Sequence, residues 1–173
     1  MKILISTLTL VSLFIATTVF GAPLRLETQY SVIELPDTWE IKDLSSEAIL
    51  NGPKNVTLKI SVIRITGFKI ASGGTEADWR RSRKEFGAHV LNRIQNESKS
   101  SDLKVVSNLK ETESLSSYPI WEIKTETKDG LRFFYLYGVV GKKAVMNMAL
   151  EGKIGNESTS AEVLSAINNI EWK

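Results

Sequence analysis

The sequence predicts an α+β domain built around a mainly antiparallel sheet. Three observations lead there. Residues 120–151 read as three consecutive strands joined by tight turns. Residues 76–99 carry apolar side chains at helical spacing. Residues 160–169 do the same near the C-terminal end. Strand-like runs that follow one another, with one helix between them and one after, point to α+β rather than to alternating βαβ units.

The chain begins with Lys2 and an apolar run that ends in Val19-Phe20-Gly21-Ala22-Pro23. A positive start, an apolar centre and small residues at the end have the form of a secretory signal peptide. Residues 1–21 are read as that leader, cleaved after Gly21, and 22–173 as one domain. Hydroxyls at Ser6, Thr7, Thr9, Ser12, Thr17 and Thr18 dilute the run, which argues against a permanent membrane span. Removing 21 of the 173 residues leaves 152, enough to bury a core without covalent staples. That matters because the chain has no cysteine. It can form no disulfide and carries no lipid-attachment cysteine, so a periplasmic or secreted bacterial protein is expected. Lys2 is the only charge in the leader, so the formal charge falls from +2 to +1 on its removal. So small a charge gives no general steering toward nucleic acid or anionic membrane.

Residues 24–29 read as a polar lead-in. Residues 30–35 and 39–44 alternate as strands on either side of Pro36-Asp37-Thr38, a turn in which proline presets φ. An N-terminal hairpin is the expectation, with Trp39, Ile41 and Asp43 on one face. A short strand at 48–50 precedes Asn51-Gly52-Pro53. In the next run Val56, Leu58, Ile60 and Val62 turn inward. The phase slips at Ile63, through either a bulge or a strand covered on both faces. Residues 67–74 form a linker. Thr75-Glu76-Ala77-Asp78 then resembles a capping box, opening a helix over 76–99 with Trp79, Phe86, Val90 and Ile94 on its apolar stripe.

Residues 103–111 read as a strand and 114–119 as a loop. In the run from Ile120 onward, Trp121, Ile123, Thr125 and Thr127 share one face, and Glu122, Lys124 and Glu126 share a solvated one. Asp129-Gly130 predicts a type I′ hairpin. Residues 131–140 are apolar at almost every position, the mark of a central strand covered on both sides. Gly141-Lys142 marks a second tight turn, followed by Ala144, Met146, Met148 and Leu150 on one side. Thr159-Ser160-Ala161-Glu162 is a full capping box for a helix over 160–169. Val163, Leu164, Ala166, Ile167 and Ile170 supply its apolar side, and Trp172 is expected to fold back and anchor the C-terminus.

Leu35-Pro36-Asp37-Thr38-Trp39 forms an LP-x-x-W turn after a leading strand. Paired strands, the mid-chain helix opening at Thr75, the meander and the short last helix ending Ile170-Glu171-Trp172 follow in that order. In this the chain resembles the PsbP-like fold and the related DcrB-type bacterial envelope proteins, over nearly all of residues 22–173. The resemblance implies an α/β/α sandwich around an antiparallel sheet. It implies accessory, assembly or binding roles, and it offers no catalytic residues.

Chemistry-bearing residues are sparse. His89 is the single histidine, and no cysteine is available as nucleophile or ligand. Metal sites and Ser-His-Asp triads need partners that the sequence does not assemble, so no catalytic residue, cofactor or metal is expected. Glu122 and Glu126 project from one strand face with Lys124 between them, the pattern of a solvated face. Arg80, Arg81, Arg83 and Lys84, on the first half of the mid-chain helix, are the candidate partner-binding residues. They could meet an acidic protein or lipid headgroups. The expected function is that of an exported, non-enzymatic interaction or accessory protein with a partner in the cell envelope, one version being an immunity-type binder of a toxin. The alternative is a small-ligand or lipid-binding module lined by Trp79, Phe86 and the meander aromatics.

Overall fold

A computed structural model describes residues 14–17, 21–64, 102–114, 118–141 and 143–173. In chain order the strands are β1 (Ile15–Thr17), β2 (Leu24–Glu27), β3 (Ser31–Leu35), β4 (Glu40–Leu44), β5 (Ala48–Gly52) and β6 (Val56–Arg64). Then come β7 (Leu103–Val105), β8 (Lys110–Glu113), β9 (Pro119–Thr127), β10 (Arg132–Val140) and β11 (Ala144–Lys153). Helix α1 (Thr159–Asn168) and β12 (Glu171–Trp172) close the chain. The larger sheet has the order β4-β5-β6-β11-β10-β9-β7, with β8 also paired to β9. The smaller has the order β1-β2-β3-β12. Pairing among the described strands is antiparallel throughout. The expected helix over 76–99 lies outside the described residues.

The meander forms as its alternation predicts. β10 lies between β9 and β11, so its backbone is paired on both sides along its length. Inward residues of the large sheet (Leu58, Ile60, Phe133, Tyr137, Met146 and Leu150 among them) pack in one core with Ile33 of β3 and Val163 and Ile167 of α1. The small sheet and α1 therefore cover one face of the large sheet, here called inner. Each large apolar side chain so buried contributes about 1.5–3 kcal/mol. Trp121, Ile123, Val140 and Val145 form a second cluster on the outer face.

The inner layer is closed by aromatic rings lying on glycines. A Cβ at Gly141 would run into the Trp172 ring, one at Gly52 would come 2.7 Å from Trp39, and one at Gly152 2.8 Å from Phe133. Trp172 thus does anchor the C-terminus. Its strand pairs with β3, its ring covers Gly141, and Tyr118 lies 5.8 Å away, centroid to centroid.

Several local expectations are corrected. β3 and β4 do not form a hairpin: β3 pairs with β2 and β12, whereas β4 pairs with β5. The Pro36 carbonyl accepts the Trp39 amide at 3.1 Å, and the chain passes from one sheet to the other as Trp39 drops onto Gly52. The supposed polar lead-in is β2, with Leu24 and Leu26 buried. A register shift between Ile41 and Asp43 breaks their alternation and leaves Asp43 exposed. β6 has no such shift beside β11, so the phase slip at Ile63 is not a bulge there; Ile63 is half-buried on the outer face. The strand at 103–111 is two short strands, because Ser107 intervenes and its Oγ accepts the Lys124 amide at 2.7 Å. At Asp129-Gly130 only Gly130 takes positive φ, at +72°. Its amide donates to the Thr127 carbonyl, and Asp129 accepts from the Leu131 amide, so the turn is not type I′.

Gly141→Ala is expected to cost about 1–3 kcal/mol, since Trp172 must move and its packing is lost. Gly138→Ala meets only Asn147 Oδ1 at 3.9 Å. It is expected to leave stability unchanged or raise it by up to about 1 kcal/mol. Urea midpoints of the two variants check the contrast.

Candidate functional site

Among the described residues, the densest group of polar side chains lies on the inner face, at the β9 end of the large sheet. On β9 the inward positions after Ile120 are Glu122, Lys124 and Glu126. On β10 the residues opposite them are Tyr137, Tyr135 and Phe133. A row of charges therefore faces a row of aromatic rings across one strand pair. The rings are ordered: Tyr135 stacks on Tyr137 at 6.1 Å and 10°, and meets Phe133 edge-on at 5.7 Å.

This row is not the solvated face expected of it. Glu122, Lys124 and Glu126 have side chains only 17, 21 and 19 % exposed. The loop after β11 and the start of α1 bring Glu157 and Ser160 over them. Lys124 Nζ lies 3.1 Å from Glu126, 3.5 Å from Glu157, and 5.7 Å from the Tyr135 centroid. It holds two carboxylates and a ring face at once. The edge strands add Lys104, 3.5 Å from Glu126, and Lys110, 3.8 Å from Glu122, each directly opposite its partner in register.

Three groups of the site are held in their ordinary charge states near neutral pH. Burial alone would lower the Lys124 pKa, but the hydrogen bond to Glu126 and the electrostatic influence of Tyr135, Glu126 and Glu157 outweigh it, and the ammonium sits above 10.5. Burial would raise Glu157. Its own amide, the Gly155 amide at 2.7 Å and Lys124 outweigh that, so the carboxylate sits below 4.5. Tyr137 is pushed far up, by burial first and then by Glu122 and Tyr135, although a hydrogen bond with Ser160 works the other way. Near neutral pH the seam therefore presents an ammonium, a carboxylate and a neutral phenol. None of these three is poised to exchange a proton there, as a general acid or base must.

The capping box at 159–162 does not form. Ser158 takes the N-cap position with no side-chain cap bond, and Thr159 is buried within the helix. Glu162 instead accepts the Trp39 indole N–H at 3.3 Å, and Ser160 turns to Tyr137. Arg80, Arg81, Arg83, Lys84 and His89, with Trp79 and Phe86, lie outside the described residues. Strand periodicity alone does not reveal the seam, because it places Glu122, Lys124 and Glu126 only relative to their own strand. The shared parity of Phe133, Tyr135 and Tyr137 on the next strand was the signal that could have placed rings beside them. Among the described residues, no group of three or more His, Cys, Asp or Glu could hold a metal ion. Nor is any described helix long and apolar enough to cross a membrane.

No family model and no curated protein matches the chain. A search of solved structures does find a likeness. The solution structure of cyanobacterial PsbP (CyanoP) from Synechocystis sp. PCC 6803 is similar over 83 % of this chain and 86 % of that one, with a TM-score of 0.51 at 11 % identity. The fold is PsbP-like. At that identity the likeness concerns the fold alone. It agrees with α+β architecture around a central antiparallel sheet, and the PsbP-like frame is what brings β9, β10 and the start of α1 together. Of the two helical layers of the expected sandwich, only that formed by α1 falls among the described residues.

The linkage at this site has a definite sign. Glu157, lowered in the fold, adds stability that is present above pH 4.5 and lost as pH falls through its folded value. Lys124, raised in the fold, adds stability that is present below pH 10.5 and lost as pH rises through its folded value. Lys124→Met is expected to narrow both losses, so that urea midpoints of variant and parent converge at the acid and alkaline ends. Parallel curves across the whole pH range would show that the seam does not couple these groups.

Proposed function

We propose that this chain is an exported accessory protein of the bacterial cell envelope, residues 1–21 being a leader, and that it works by docking to another protein rather than by catalysis. One observation carries the reading. The densest polar site of the described chain is closed on itself, with Lys124, Glu157 and Tyr137 held in fixed charge states. Such a seam rigidifies a domain, and these three groups are committed to one another rather than poised for proton transfer at neutral pH. The PsbP-like fold supports the same reading, as does the resemblance to DcrB-type envelope proteins, whose roles are accessory. A periplasmic immunity protein that neutralises a delivered toxin is one form of it, with Arg80, Arg81, Arg83 and Lys84 as the first residues to meet an acidic partner.

A second reading, a small-ligand or lipid-binding module, is favoured by a different observation. Thr125 is wholly buried and its Oγ1 has no hydrogen-bond partner among the described residues, and the same holds for Asn147 Oδ1. Both residues lie on the outer face, in register with Phe134 and Gly138 respectively. Buried polar atoms left in that state favour a bound polar group.

Affinity purification of the tagged full-length gene product from its own envelope, after mild crosslinking, tests both readings. A stoichiometric protein partner supports the docking role, and recovery from the cytoplasmic fraction contradicts export. A small-molecule adduct in native mass spectra, with no protein partner, transfers the assignment to ligand binding. Neither partner nor adduct would sink both.

A further inference from the structure

The small sheet carries a strand that the export reading removes. β1 lies antiparallel on β2, with Ile15 opposite Glu27, Ala16 opposite Leu26 and Thr17 opposite Arg25. Phe14, just before it, is 7 % exposed and belongs to the main core, and Ala16 packs against that core. Ile15 and Thr17 are exposed. The in–out pattern of β1 therefore matches that of β2, whose Leu24 and Leu26 are buried in the same core. Yet Phe14 to Thr17 fall inside residues 1–21. Cleavage after Gly21 would take β1 away, open one edge of β2 and empty the seat of Phe14.

Two edge strands of the large sheet are protected differently. β4 exposes Glu40, Lys42 and Asp43, and β8 exposes Lys110, Glu111 and Glu113, charges that discourage strand addition. The far side of the small sheet is occupied by β12, held further by the Lys173 amide on the Tyr30 carbonyl at 2.9 Å. On β2 the charged side chains are engaged elsewhere. Arg25 pairs with Glu34 at 3.1 Å, and Glu27 with Lys173. They leave the backbone of that edge uncovered once β1 is gone.

We propose that the processed protein receives an extended segment of a partner polypeptide on this edge. The segment runs antiparallel to β2, with a large apolar residue in the Phe14 seat and a small apolar residue two positions on, where Ala16 lies. Main-chain hydrogen bonds supply affinity and the two inward seats supply selection. A second copy is a poor occupant, because β2 itself places leucine at both inward positions. The inference rests on the export reading and specifies where that docking occurs.

The chain's lack of cysteine makes a register test clean. The full-length gene is expressed with export, and intact mass reports whether residues 1–21 have been removed. Processed protein bearing Arg25→Cys is then mixed with a synthetic peptide of residues 12–18 bearing Thr17→Cys, and Glu27→Cys with the Ile15→Cys peptide. With oxidised glutathione as the oxidant, both matched pairs are expected to form disulfides, whereas the Thr17→Cys peptide with Glu27→Cys protein is not. A Phe14→Asp peptide is expected to bind at least about tenfold more weakly in fluorescence anisotropy. Retention of the leader overturns the proposal at its premise. Processed protein that refuses the peptide, crosslinks without register preference, or dimerises through protected β2 amides overturns it directly. Peptide uptake at the stated register supports the receptive edge even where purification recovers no partner, so the two readings fail separately.

Discussion

The fold depends on the need to cover the inner face of the large sheet, and above all the aromatic row on β10. Phe133 and Tyr137 are wholly enclosed there. β10 is central, so its backbone partners are settled by β9 and β11. Its side chains are left to be covered from above and below. α1 and the small sheet do this on the inner side. Because burial of apolar area is the dominant favourable contribution, the placement of those two elements follows from the aromatic row rather than from their own preferences. The helix illustrates this. Its capping-box residues give up their local roles so that Glu162 can meet Trp39 and Ser160 can meet Tyr137.

Covering that face creates an electrostatic problem at β9, which carries charges at the same inward positions. A buried charge is costly unless paired. Here the pairing is layered: Lys124 lies between Glu126 and Glu157, with Lys104 and Lys110 bracing Glu126 and Glu122 from the edge strands. The groups remain partly hydrated, so each pair is worth less than its distance alone would imply. The gain is in definition, since a row of alternating charges on β9 matches only one register of its neighbours.

Aromatic rings seated on glycines provide the remaining closure. Trp39 on Gly52 secures the crossing from the small sheet to the large one, and Trp172 on Gly141 secures the C-terminal strand. In each case a ring lies flat against backbone where any side chain would intrude. Close packing of this kind transmits position, which is how elements distant in sequence are held near the seam.

The sequence by itself determined the local elements whose period is strong and whose turns are chemically marked. The β9–β11 meander, the inward row of β6 and the apolar side of α1 were legible because alternation reports which residues share a face. The PsbP-like order was legible through Leu35-Pro36-Asp37-Thr38-Trp39 and the succession of strands. What only the tertiary structure decided was pairing and covering. Period two cannot say that β3 and β4 part into different sheets, that β2 is a strand rather than a lead-in, or that Glu122, Lys124 and Glu126 are roofed by Glu157 and Ser160. Those outcomes depend on contacts between residues far apart in the chain, such as Trp39 with Glu162 and Lys124 with Glu157. A local pattern carries no record of which distant surface will exclude water from it.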